Sequence, residues 1–183
     1  MHKLTVRFAL TALAVAAVAV PTLLSTGSSN AADVSRSSHQ DGSVAVIRQV
    51  TAKYHDINVA LADGYVPASE CTVSPDGGMG VHYMNPRLTR QPVDLRHPAI
   101  LLYLPTADGA ELLGVEYFKA DDDQNLGTDD DRPSLLGHAF DGPMLGHNPL
   151  MPIHYDLHVW VWKHNASGMF SQWNPAVSCS PSS

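Results

Sequence analysis

PIHYDLHVWVWKHN, Pro152 to Asn165, sets three histidines and an aspartate inside one of the most apolar runs of the chain. Val159, Trp160, Val161 and Trp162 favour a strand. Side chains of a strand alternate between its two faces. Ile153, Tyr155, Leu157, Val159 and Val161 then share one face, and His154, Asp156, His158, Trp160 and Trp162 share the other. A helix would make His154 and His158 neighbours, as in the zinc-protease HExxH arrangement, but no Glu follows His154. On a strand, at about 3.3 Å per residue, their backbones are roughly 13 Å apart, too far to share one ion comfortably. The run therefore offers one ligand to a shared site. His158, deeper in the run, is favoured over His154.

The same alternation holds elsewhere. In GVHYM, His82 lies opposite Val81 and Tyr83, and in LGVEYF, Glu116 lies opposite Val115 and Tyr117. Three strands thus each present one titratable group among apolar neighbours. Meeting at one point, His82, Glu116 and His158 would form a two-imidazole, one-carboxylate site. Such a set suits one divalent transition metal (Zn, Fe, Mn or Cu) and leaves coordination positions open. His154 or His147 is a candidate further ligand or supporting group. Asp156 is a candidate to orient a histidine ring from a neighbouring strand. Tyr83, Tyr117, Trp160 and Trp162 are candidates to wall an apolar pocket. The competing reading is that these histidines are satisfied core residues and the aromatics ordinary core. His138 and His164 fall in turn-like sequence and His97 precedes a proline; all three read as surface.

Working outward, PAILLYLPTADGAELLGVEYFKA reads as a hairpin: strand Ile100–Leu104, turn Ala107-Asp108-Gly109, return strand Leu112–Phe118. DDDQNLGTDDD is an acidic loop; read as an EF-hand from Asp121, it lacks the sixth-position Gly and the twelfth-position Glu. GHAFDGPMLGHNPLMP, punctuated by Gly and Pro, reads as irregular. On the N-terminal side, Val46, Ile47, Val50, Tyr54, Ile57, Ala60 and Leu61 fall at helical spacing. The spacing predicts one long amphipathic helix over Ser43–Asp63, with Ser43 as cap and Gly64 at its end. Residues 33–42 are Ser-rich and polar and read as a disordered lead-in. The fold expected is α+β, one long N-terminal helix packed on a mostly antiparallel sheet, over a single domain at 43–183. A β-sandwich or barrel with one helix is the alternative.

Residues 1–32 have the layout of a secretory signal peptide: Lys3 and Arg7, then a short apolar run, then small residues at Ser29, Ala31 and Ala32. Cleavage there would move the formal net charge from -7 to -9, since two of the 11 Lys+Arg and none of the 18 Asp+Glu lie in that segment. So acidic a chain is a poor partner for nucleic acid or an anionic membrane. No later run is apolar enough to span a bilayer. In an exported chain the two cysteines, Cys71 and Cys179, are expected to pair. There is no GxSxG, P-loop or dinucleotide fingerprint.

The segments DGYVP…C, GGMGVHYMNP, LLGVEYF and LHVWVWKHNASGMFSQWNPAVSC resemble a group of small exported bacterial proteins of uncharacterised function. That resemblance implies a secreted, single-domain protein and no particular activity. The cupin motifs, by contrast, are missing. Three functions follow from the residues. The first is an exported small metal-binding protein, a mononuclear metalloenzyme of oxidoreductase or hydrolase type acting on a small molecule. The second is a non-catalytic exported module for a metal ion or small apolar ligand. The third is a cell-surface interaction domain with no site.

Overall fold

The computed structural model describes residues 31–107, 109–147 and 150–179. The expected leader thus lies outside the described residues, apart from its last two positions. The fold is mostly antiparallel sheet, preceded by helical segments: α1 (Ala31–Thr51), a 3-10 turn (Ala52–His55) and α2 (Ile57–Ala62). The strands are β1 (Val66–Pro67), β2 (Thr72–Ser74), β3 (Gly77–Met84), β4 (Ile100–Thr106), β5 (Gly109–Ala120), β6 (Ser134–Leu135), β7 (His138–Ala139), β8 (Asp141–Met144) and β9 (His154–Val159). Seven of them form one sheet in the order β1-β3-β4-β5-β9-β8, with β2 also on β3; β6 and β7 make a separate two-stranded ladder. The path is open, so neither a barrel nor a sandwich forms among the described residues.

The single helix expected over Ser43–Asp63 does not form. Helix α1 starts earlier, so residues 33–42 are helical rather than a disordered lead-in, and the helical run breaks at Asp56. The break has a local cause. Asp56 is extended (φ -89, ψ 106), and its carboxylate accepts from Asn58 N–H at 2.9 Å, starting α2 as an N-cap. The carbonyl of Tyr54, lost to the helix, accepts instead from the Tyr103 hydroxyl at 2.6 Å. The end of the run is as expected. Gly64 has φ +93, Tyr65 N–H bonds the Ala60 carbonyl and Gly64 N–H the Leu61 carbonyl, which is a Schellman ending.

The helical segments cover one sheet face. Val44, Ile47, Tyr54 and Ala60 pack with Leu101, Tyr103, Val115, Tyr117, Tyr155, Leu157 and Val159. Each aliphatic side chain fully buried there stabilises the fold by roughly 1.5–3 kcal/mol. Buried tyrosines keep their hydroxyls bonded, among them Tyr65 to the Pro98 carbonyl and Tyr117 to the Leu95 carbonyl, each at 2.7 Å. The opposite face holds a second apolar cluster, Ala99, Ile100, Leu102, Leu113, Phe118, Trp160 and Val177. On this face lie the titratable residues of β9.

The β4–β5 hairpin is longer than the sequence suggested, with Thr106 paired to Gly109. Strand β8, inside the stretch read as irregular, adds an edge to β9, with Asp141 opposite Asp156 and Met144 opposite His154. Gly142 and Pro143 hide it, since Pro within a strand is confined to edges and bulges. The acidic loop turns its carboxylates to local use. Asp121 accepts from Asn125 N–H and Asp123 from the Thr128 hydroxyl, while Asp131 binds Lys119 and the Tyr155 hydroxyl.

Cys71 and Cys179 form the expected disulfide. It ties the C-terminal segment to the start of β2 and closes a separation of 108 residues. Loop-closure entropy predicts that replacing both cysteines with alanine lowers unfolding stability by roughly 4–5 kcal/mol. Urea unfolding of the two forms measures it; a loss under about 1 kcal/mol would show that the C-terminal segment is held without the bridge.

Candidate metal centre

Each residue of the site owes its position to strand register. Glu116 on β5 stands directly opposite His158 on β9. Directly opposed residues of an antiparallel pair share a face, with Cβ atoms about 4.5–5.5 Å apart. His82 comes from β3, with β4 lying between it and β5: His82 is opposite Leu102, and Ile100 is opposite Glu116. The imidazole reaches across β4, and its Nε2 lies 3.1 Å from Glu116 Oε2. His158 Nε2 lies 3.6 Å from the same oxygen. One donor atom from each of the three residues falls within 4.8 Å of the others, a spacing open to ligands with bonds near 2 Å.

Burial sharpens the picture. Glu116 is 3% exposed and His158 1%. Buried polar atoms almost always have hydrogen-bond partners. Among the described residues, the buried side-chain N and O atoms without one are Glu116 Oε2, both ring nitrogens of His158, His154 Nε2 and Asp156 Oδ1. All belong to one strip of the sheet. Although close to His82 Nε2, Glu116 Oε2 is not aligned to accept an N–H bond from it. The ring is set from its other side, where His82 Nδ1 is 3.0 Å from the Ser69 hydroxyl, which also accepts from His82 N–H.

The charges of the strip oppose its burial. Burial pushes the Glu116 carboxyl up, but the fields of His158 and His82 outweigh it and pull it well below the ordinary carboxylate range. Burial pushes the His158 ring down, but Glu116 and Asp156 outweigh that and raise it to about 9. His154 is held below its ordinary value, chiefly by burial.

The other expected residues divide. Asp156 lies between two histidines of its own strand, with His147 from the segment after β8 also near it. Its Oδ1 is 3.7 Å from His158 Nδ1 and its Oδ2 is 4.0 Å from His154 Nε2. His154 and His147 do not join the triad, but gather with Asp156. His138 stacks on Phe170, and His97 pairs with Asp94, away from the site.

The expected aromatic pocket is corrected. Tyr83 and Tyr117 lie on the helix-covered face, as period two requires of residues next to His82 and Glu116. Trp160 keeps the polar phase and packs beside His158, with its Nε1–H donating to the Ser171 carbonyl. Trp162 does not, because Val161 N–H bonds the Val159 carbonyl and a tight turn ends the alternation. The Trp162 ring instead meets His55 and Thr51 on the helix side. Gly114 allows this exit: a Cβ there would lie 2.6 Å from the Val159 carbonyl.

The pocket that does open beside the triad is about 530 Å³, and His82 and Glu116 stand in its wall with Met84, Ile100, Phe118 and Met151; Arg90 and His147 also line it. The apolar lining residues share the His82/Glu116 face or come from the loop before β9, a grouping that needed the β3–β4–β5 register to be seen. Ser69 carried no sequence signal. A second cavity, about 600 Å³ and lined by Lys53, Asp63, Arg87 and Arg96, contains none of the unpartnered buried groups.

In chelator-treated protein the His158–Glu116 pair predicts a pH window. His158 has its folded pKa above the ordinary 6.5, so its contribution to stability is complete below about 6.5 and lost as pH rises through about 9. Glu116, lowered, contributes above its ordinary 4.5 and loses that contribution only in strong acid. Urea unfolding should therefore show stability falling from pH 6.5 to 9.5, with Glu116→Gln flattening the fall. An equal slope in the variant would exclude the pair as its origin.

No protein-family model matches the chain, and comparison with curated proteins and with solved structures likewise returns no match.

Proposed function

We propose that this is an exported protein that binds one divalent transition metal through His82, Glu116 and His158 and exposes it to a small-molecule pocket. The observation that carries the reading is the convergence of three donor atoms, two of them buried and unpartnered, beside an apolar cavity. A buried carboxylate and imidazole without their hydrogen bonds are costly in such surroundings, and a cation shared among them would offset that cost. Two imidazoles and a carboxylate suit Zn, Fe, Mn or Cu. A bound metal would supply Lewis acidity or redox chemistry at the pocket wall. Around it, Ser69 would hold the His82 ring, Asp156 would face the far side of His158, and Met84, Ile100, Phe118 and Met151 would exclude water. These surroundings favour a small, largely apolar substrate and a metalloenzyme of oxidoreductase or hydrolase type. Export rests on the leader-like N-terminus and fits the disulfide. No described helix is long and apolar enough to cross a membrane.

The near-complete burial of Glu116 and His158 favours one other reading, a non-catalytic module that holds its metal in a closed site. Turnover on a substrate panel separates the two. The metal itself is tested first. Zinc or cobalt should bind, and Glu116→Gln and His158→Ala should each weaken that binding at least about 100-fold, more than is typical for loss of a supporting group. Calorimetric titration measures it, and unchanged affinity in both variants would overturn the assignment.

A further inference from the structure

We propose that His147, His154 and Asp156 form a second divalent-cation site, separate from the first, on the same sheet face. One donor atom from each falls within 4.8 Å of the others. His154 is fully buried and Asp156 is 2% exposed. His154 Nδ1 lies 3.1 Å from the Pro152 carbonyl. A carbonyl only accepts, so Nδ1 carries the ring proton and Nε2 turns a lone pair into the strip. The nearest carboxylate atom to it, Asp156 Oδ2, is 4.0 Å away, beyond hydrogen-bond reach. His154 Nε2 is left without a hydrogen-bond partner. An imidazole lone pair facing a carboxylate, with a second imidazole beside them, needs positive charge in the middle. The backbone carbonyl behind His154 is also what a metal-bound histidine ordinarily has behind it.

The two positions are separate because of strand geometry. His154 and His158 are four residues apart on β9, and Asp156 stands between them, with Oδ2 toward His154 and Oδ1 toward His158. His147 is exposed and comes from the segment after β8, which gives an ion a route from solvent. It also lines the pocket that reaches His82 and Glu116. Two imidazoles and one carboxylate again select borderline ions such as Zn²⁺ over Mg²⁺ or Ca²⁺.

This inference does not rest on the first site, and the test keeps the two apart. The disulfide-intact protein is titrated with Zn²⁺ by calorimetry, and bound zinc is counted by elemental analysis. Two equivalents are expected. His147→Ala removes an exposed ligand without disturbing the core, and His154→Gln keeps a buried polar side chain. Each should weaken one binding event about tenfold or more and leave the other unchanged, while Glu116→Gln does the reverse. A single equivalent sensitive to Glu116→Gln, but to neither His147→Ala nor His154→Gln, would overturn the second site and leave the first standing. A single equivalent with the opposite sensitivities would support the second site against the first. No uptake, or two equivalents that both His variants leave unchanged, would overturn the second site.

Discussion

The antiparallel pairing of β5 with β9, which sets Glu116 across from His158, is the constraint on which the site depends. Side chains alternate with a period of two, so a slip of one residue would turn His154, Asp156 and His158 under the helices. It would bring Tyr155, Leu157 and Val159 to the other face. Those three, at most 2% exposed, pack against Ile47, Tyr54 and Tyr103, and their burial favours one register strongly. The polar strip is thus placed by apolar packing on the far side of the sheet. The contacts that β9 itself makes within the strip are longer, 3.6 to 4.0 Å, and partly unpartnered, so they choose the register less firmly than that packing does.

That leaves a sheet face on which local and global preferences conflict. Burying Glu116, Asp156, His154 and His158 among Ile100, Leu102, Phe118 and Trp160 lowers stability unless their charges and lone pairs are met. Partial compensation is visible: Ser69 and Pro152 hold one nitrogen each on His82 and His154. The atoms left over point toward one another. The rest of the fold satisfies its buried tyrosine hydroxyls one by one, and that contrast is what supports the proposed metal-binding reading of the strip.

Several features were legible in the residues alone because each depends on neighbours close in sequence. The face shared by His154, Asp156 and His158 follows from alternation, and the helix end at Gly64 from glycine's access to positive φ. The break at Asp56 was hidden because the apolar spacing runs straight through it. An aspartate side chain bonding its own backbone competes with the helix, and the Tyr103 hydroxyl that takes up the stray Tyr54 carbonyl comes from a distant strand. The phase of Trp162 departs from simple alternation for a similar reason. A single tight turn after Val159, held by a backbone bond, resets the alternation without changing the apolar pattern.

By itself, then, the sequence determined that β9 carries its titratable groups on one face, that His82 and Glu116 sit on comparable faces of other strands, and that Cys71 and Cys179 were available to pair. Only the tertiary structure decided that β5 lies beside β9, that His82 reaches over β4, and that His147 and His154 gather around Asp156 instead of joining the triad. The reason is physical. Periodicity along a strand is set by the backbone of that strand, whereas strand order and register are set by which apolar surfaces bury one another across the whole fold.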